Sequence, residues 1–147
     1  MRLDSYQTSS NQNTQLFTFL SVGHKGIVVK IVNYEQIEEN KFNLSFGDYD
    51  IVSQTINDTI VTNNGDGGKV LATVVRTLFP FFEKYPNAQV FVEGSNQART
   101  KLYQRIIRDY SKFYEHNFVV MGIVNYNHTF EKIDFLKKYV QFRINKK

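Results

Sequence analysis

The chain has 147 residues with a formal net charge of +4 and a sequence pI of about 9.2; 41% are hydrophobic and 22% charged. That length suits one α+β-sized domain with a real core, and the balance of apolar to charged residues excludes a disordered chain. The lack of cysteine excludes disulfides, cysteine nucleophiles and thiolate metal sites, and the lack of tryptophan leaves thirteen Phe and nine Tyr to supply much of the core.

Residues 1–13 are polar and read as a lead-in with a short strand around Tyr6. They lack the apolar segment of a signal peptide. Gln15–Val22 and Gly26–Tyr34 are rich in Phe, Val and Ile and predict two strands joined by a hairpin loop at Gly23-His24-Lys25. The second is apolar nearly throughout, as expected of a central strand. Asn40–Gly47 alternates Phe42, Leu44 and Phe46 against Lys41, Asn43 and Ser45, and Gly47-Asp48-Tyr49-Asp50 reads as a turn. Thr55–Asn63, through Ile60 and Val61, predicts a fourth strand, followed by the loop Asn63–Gly68.

Val70, Leu71, Val74, Leu78, Phe81 and Tyr85 follow helical spacing and predict a helix over 66–85, with Pro80 expected to kink or end it. Val90–Val92 is strand-like and breaks at Gly94-Ser95-Asn96. Phe118–Val124 predicts another strand and Asn125-Tyr126-Asn127 a turn. Thr129–Leu136 is ambiguous, and Tyr139–Ile144 alternates as a final strand. Hairpins first and two helices in the middle predict an α+β fold, a single domain over 1–147, with a mainly antiparallel sheet and two central helices packed on one face.

The second helix starts near Gln97. Leu102, Ile106 and Phe113, with Tyr103, Ile107, Tyr110 and Tyr114 beside them, form its apolar side. Lys101, Arg105, Arg108 and Lys112, at steps of four, three and four, share one stripe of the other side. Arg99 falls within the apolar side, in the first turn, beside free helix N–H groups that attract anions. There a guanidinium adds a bidentate partner for phosphate or carboxylate. Ser95 or Asn96 suits the N-cap.

Other chemistry finds little footing. Gly65-Asp66-Gly67-Gly68-Lys69-Val70 has the look of a phosphate loop, but Asn63 stands where its first glycine belongs and Val70 where magnesium needs Ser or Thr. The stretch also fits a plain tight turn with Asp66 near an N-cap. His24, His116 and His128 are isolated, which predicts no metal and no cofactor. Glu93 is followed by Gly94 and Ser95, so the acidic-x-Lys strand signature of a metal-dependent nuclease is missing.

Asn63-Asn64-Gly65-Asp66 with Lys69–Val74, then Lys84-Tyr85-Pro86, then Gly94-Ser95 with Ala98-Arg99-Thr100, Leu102-Tyr103 and Arg105, resemble a family of small bacterial proteins, a Bacteroidetes-type domain of unknown function. The resemblance covers nearly the whole chain. It implies a compact α+β domain and carries no catalytic role with it. Both junctions follow a strand and open a helix. If those strands are neighbours, Asn64, Asp66, Lys69, Ser95, Asn96, Arg99 and Thr100 would build one polar, anion-binding corner.

The leading expectation is a non-enzymatic binding or regulatory domain in the cytoplasm that recognises an anionic partner, nucleic acid or an acidic protein surface. Lys101, Arg105, Arg108 and Lys112 would serve as the electrostatic stripe and Ser95 and Arg99 as the corner. An enzyme acting on a phosphorylated or nucleotide substrate, using Asp66, Lys69, Ser95 and Arg99, is the alternative. A structural or antitoxin-like interaction partner is the third reading. No membrane partner is expected, and a homodimer is an option.

Overall fold

Two apolar stretches flanking a short polar loop fold back on each other as strands β2 (Leu16–Gly23) and β3 (Gly26–Glu38). The structure, a computed structural model, describes residues 4–50, 52–57 and 64–147. β2 and β3 pair antiparallel from Leu16 opposite Asn33 to Gly23 opposite Gly26, which leaves His24-Lys25 as the loop. Gly26 takes φ of 89°, a conformation that costs glycine nothing.

The chain divides into two compact units, Met1–Tyr34 with Ser45–Lys84, and Glu35–Leu44 with Tyr85–Lys147. In the first, Phe17, Phe19 and Ser21 of β2 alternate inward with Lys30, Val32 and Tyr34 of β3, all buried. The face opposite leaves Leu20, Val22 and Ile27 exposed. Strand β1 (Ser9–Ser10) pairs with β2. Strand β4 (Lys41–Asp50) runs through the expected turn at Gly47–Asp50 and pairs there with β5 (Thr55–Asn57). The strand continues because Asp48 accepts a hydrogen bond from the buried Lys30 ammonium, which holds this stretch in the sheet; the chain turns instead at 52–54, with Gln54 at φ 56°. Ile60 and Val61 of the expected fourth strand lie outside the described residues.

Helix α1 (Gly67–Lys84) buries Val70, Val74, Leu78, Phe81 and Phe82. It does not end at Pro80. Proline in a helix interior costs about 3 kcal/mol through its missing N–H and its clash with the carbonyl one turn back. Here Pro80 and Arg76 are both exposed, so the gap in the hydrogen-bond ladder falls on the solvent side of the helix. The next turn is anchored by Phe81, which stacks on Tyr34 with ring centroids 4.0 Å apart, while the Tyr34 hydroxyl bonds to Thr77 Oγ1 at 2.7 Å.

In the second unit, β6 (Gln89–Val92) lies parallel to β4, with Phe42 opposite Val90 and Leu44 opposite Val92. On its other side it pairs antiparallel with β9 (Gln141–Lys146), which pairs antiparallel with β7 (Phe118–Ile123), and β8 (Glu131–Lys132) closes that edge. Phe42, Val90, Val92, Phe118, Phe142 and Ile144 are buried here. Helices α2 (Gln97–Asp109) and α3 (Ser111–Tyr114) replace the single second helix expected, because Tyr110 at φ −107° and ψ 10° interrupts the helical backbone. Hydrogen bonding orders the strands β1-β2-β3-β4-β6-β9-β7-β8, with β5 on β4. The fold is α+β with a mostly antiparallel mixed sheet, and the parallel β4–β6 pair is one that the expected hairpin series did not contain. Among the described residues no helix is long and apolar enough to cross a membrane.

Candidate anion-binding surface

β6 delivers the chain to Gly94, where a Cβ would stand 2.3 Å from the Thr100 amide nitrogen and 2.6 Å from Arg99 Cβ. Only glycine lets the turn close this tightly on the first turn of α2. Asn96 is the N-cap: its backbone is extended, and its Oδ1 accepts from the Arg99 amide at 2.9 Å. Thr100 Oγ1 accepts from the Gly94 amide and donates to the Asn96 carbonyl, each at 3.2 Å. Ser95 is exposed. Arg99 is 2% exposed, with its guanidinium 5.6 Å from the Tyr103 ring centroid, within cation–π range. The guanidinium is therefore enclosed, on the apolar side where helical spacing puts it.

The opposite side of α2 and α3 is wet. Lys101, Arg105, Arg108 and Lys112 are all exposed, while Tyr103, Ile106, Ile107 and Tyr114 are buried. The backbone break at Tyr110 does not scatter the stripe. The Tyr114 amide still reaches the Tyr110 carbonyl, and the buried Tyr114 hydroxyl donates to the Ile107 carbonyl at 2.7 Å. Burial, with the Glu115 charge second, keeps that hydroxyl protonated far above the usual tyrosine range. Arg108 pairs with Asp109 at 2.9 Å on the surface, an interaction of about 0–1 kcal/mol that competes weakly with any anion. Residues 85–147 hold eleven Lys and Arg against five Asp and Glu, while the other residues hold seven against nine. The positive charge of the chain is thus concentrated in residues 85–147, shared between this helix pair and the segment that follows it.

Beside α3 lies an open cleft of about 440 Å³. Buried Tyr114 and Phe118 and half-buried Val120 and Ile133 give it an apolar floor. His116, Lys132 and Lys147 stand on its rim with one carboxylate, Glu115. Phe135, 42% exposed, completes the wall. The loop that carries Phe135 is braced: Lys137 Nζ meets Glu131 Oε2 at 3.0 Å, the Tyr139 hydroxyl donates to the same oxygen at 3.1 Å, and Gln104 Nε2 donates to the Lys137 carbonyl at 2.8 Å. The Lys137 hydrogen bond holds the Glu131 carboxyl below its usual range.

In the first unit, Asn64, Asp66 and Lys69 join a network that sequence reasoning only half found. Asn64 is 1% exposed; its Nδ2 donates to Ser21 Oγ at 3.2 Å and to the Gly26 carbonyl at 3.0 Å, and its Oδ1 accepts from the Lys25 amide at 2.7 Å. Asp66 Oδ2 accepts from Ser21 Oγ at 2.6 Å and from the Tyr6 hydroxyl. Burial pushes the Asp66 carboxyl up, but those two donors and the Lys30 charge outweigh it and hold the carboxyl below its usual range. Lys69 Nζ sits 4.3 Å from the Tyr6 ring centroid. Tyr6, Ser21, Lys30 and Asp48 were not singled out by sequence. A lysine in the middle of Gly26–Tyr34, a strand apolar nearly throughout, is the signal for Lys30. Among the described residues no three His, Asp or Glu form a group that could hold a metal ion.

The chain belongs to a family of unknown function, DUF6934, which matches residues 2–147. This bears out the expectation of a domain of unknown function spanning nearly the whole chain. No curated protein and no solved structure matches it.

Proposed function

We propose that the protein is a non-enzymatic nucleic-acid-binding domain that holds the phosphate backbone on the outer side of α2 and α3. The carrying observation is the stripe itself: Lys101, Arg105, Arg108 and Lys112 are exposed along one side of a helix pair whose other side is buried, in the part of the chain that concentrates the positive charge. Rows of exposed Lys and Arg along a helical surface pair with backbone phosphates and release counterions on binding. An enzymatic reading draws less support, because the carboxylate it would use, Asp66, already accepts from both Ser21 and Tyr6.

Fluorescence anisotropy with labelled single-stranded DNA, RNA and duplex across a salt series tests the reading. Replacing the four bases with Gln should weaken binding and make the log–log salt slope about 3 units shallower for a single strand, at ~0.7 per lost phosphate contact. Binding and slope unchanged in that variant would refute the assignment.

A further inference from the structure

Building on the nucleic-acid reading, we infer that the cleft beside α3 takes one unstacked base of a single strand, with its flanking phosphates on Lys132 and Lys147. The stripe on α2 and α3 is indifferent to strandedness; the cleft is not. Its floor is apolar and partly aromatic, and Phe135 stands 42% exposed on a loop braced by Glu131, Lys137 and Tyr139. A rigid, half-exposed aromatic ring is what a base stacks on, and every base has a π-face to offer. The volume of about 440 Å³ falls in the usual range for small ligand sites, roughly 300–1,000 Å³.

The rim supplies the charge complement. Neither Lys132 nor Lys147 forms an ion pair among the described residues, so both ammonium groups can meet phosphate. Their position is set by backbone pairing: Lys132 is opposite Met121 in β8–β7, and the Lys147 amide donates to the Asn117 carbonyl at 2.9 Å. The cleft also lies close to the end of the stripe: Ser111 and Tyr114, which line it, belong to the same four-residue helix as Lys112. A duplex cannot enter the cleft, because its bases are stacked and paired inward.

The test compares a labelled oligothymidine, a chain of equal length and charge carrying abasic sites throughout, and a duplex, each against wild type, Phe135→Ala and the four-Gln stripe variant. Wild type should prefer oligothymidine to the abasic chain. Phe135→Ala should lose roughly five- to a hundredfold in affinity for oligothymidine, the range for one base–aromatic stack, and bind the abasic chain as wild type does. That retained binding also shows the variant to be folded. The stripe variant should lose affinity for both. If Phe135→Ala binds oligothymidine as wild type does while the stripe variant fails, the base pocket is overturned and the backbone reading stands. If wild type binds no nucleic acid, both fall. Equal binding of a polyglutamate of matching charge, insensitive to Phe135→Ala, would also overturn base recognition in favour of plain charge.

Discussion

Lys30 is the sharpest point at which to test the account of the first unit. Its side chain is 4% exposed and its ammonium bonds to the Asp48 carboxylate, which is 18% exposed. A cation in that position is retained only with its partner, since each ion loses its hydration on folding. Lys30→Met keeps the apolar stem and removes the charge. It leaves Asp48 short of its counterion in a mostly enclosed site. Breaking a fully buried pair costs about 3–5 kcal/mol. The residual access of Asp48 to water lowers the expectation to about 2–3 kcal/mol. Asp48→Asn removes the direct partner of the ammonium, the more enclosed of the two, leaves it the field of the Asp66 carboxylate, and should cost a comparable amount. The double variant Lys30→Met, Asp48→Asn removes both charges and should lie within about 1 kcal/mol of wild type. The assay is urea unfolding followed by far-UV circular dichroism, with slopes compared so that midpoints convert to free energies. Single effects that simply add in the double variant would show that the two groups do not depend on each other and would refute the reasoning.

Tyr6→Phe removes one of the two hydroxyls that Asp66 accepts from. The folded carboxyl lies below its unfolded value, so it stabilises the protein above the unfolded pKa and ceases to do so as pH falls through the folded one. The stability gap between wild type and Tyr6→Phe, about 1.5 kcal/mol at neutral pH, should therefore narrow below about pH 4. A gap constant from pH 7 to 3 in denaturant titrations would sink this account. Gly94→Ala sets a Cβ 2.3 Å from the Thr100 nitrogen, a backbone atom that cannot rotate away, and should cost about 1–3 kcal/mol in thermal unfolding. A midpoint equal to wild type would show the turn to be looser than its geometry.

The local grammar of the chain carried most of the elements. The Phe, Val and Ile content of β2 and β3, the polar loop between them, the helical spacing from Val70 to Phe81, and the Asn96 cap all express preferences within a few residues of each other, so they are readable from order alone. The same holds for the exposure of Lys101, Arg105, Arg108 and Lys112 and the burial of Arg99, which follow from helical spacing once one side of α2 is buried. Pro80 marks the limit of local preference, since Phe81 and Phe82 find enough packing to carry the helix past it. What only the tertiary structure decided are the meetings of distant residues. Tyr6 reaches Asp66 across 60 positions, Lys30 reaches Asp48 from another strand, and β4 finds β6 in parallel with a helix between them in the chain. The cleft beside α3 likewise collects Tyr114, Lys132, Phe135 and Lys147 from separate segments. No spacing rule links such residues, because their proximity is a property of how the sheet is ordered, and that order is set by the summed packing of the whole chain.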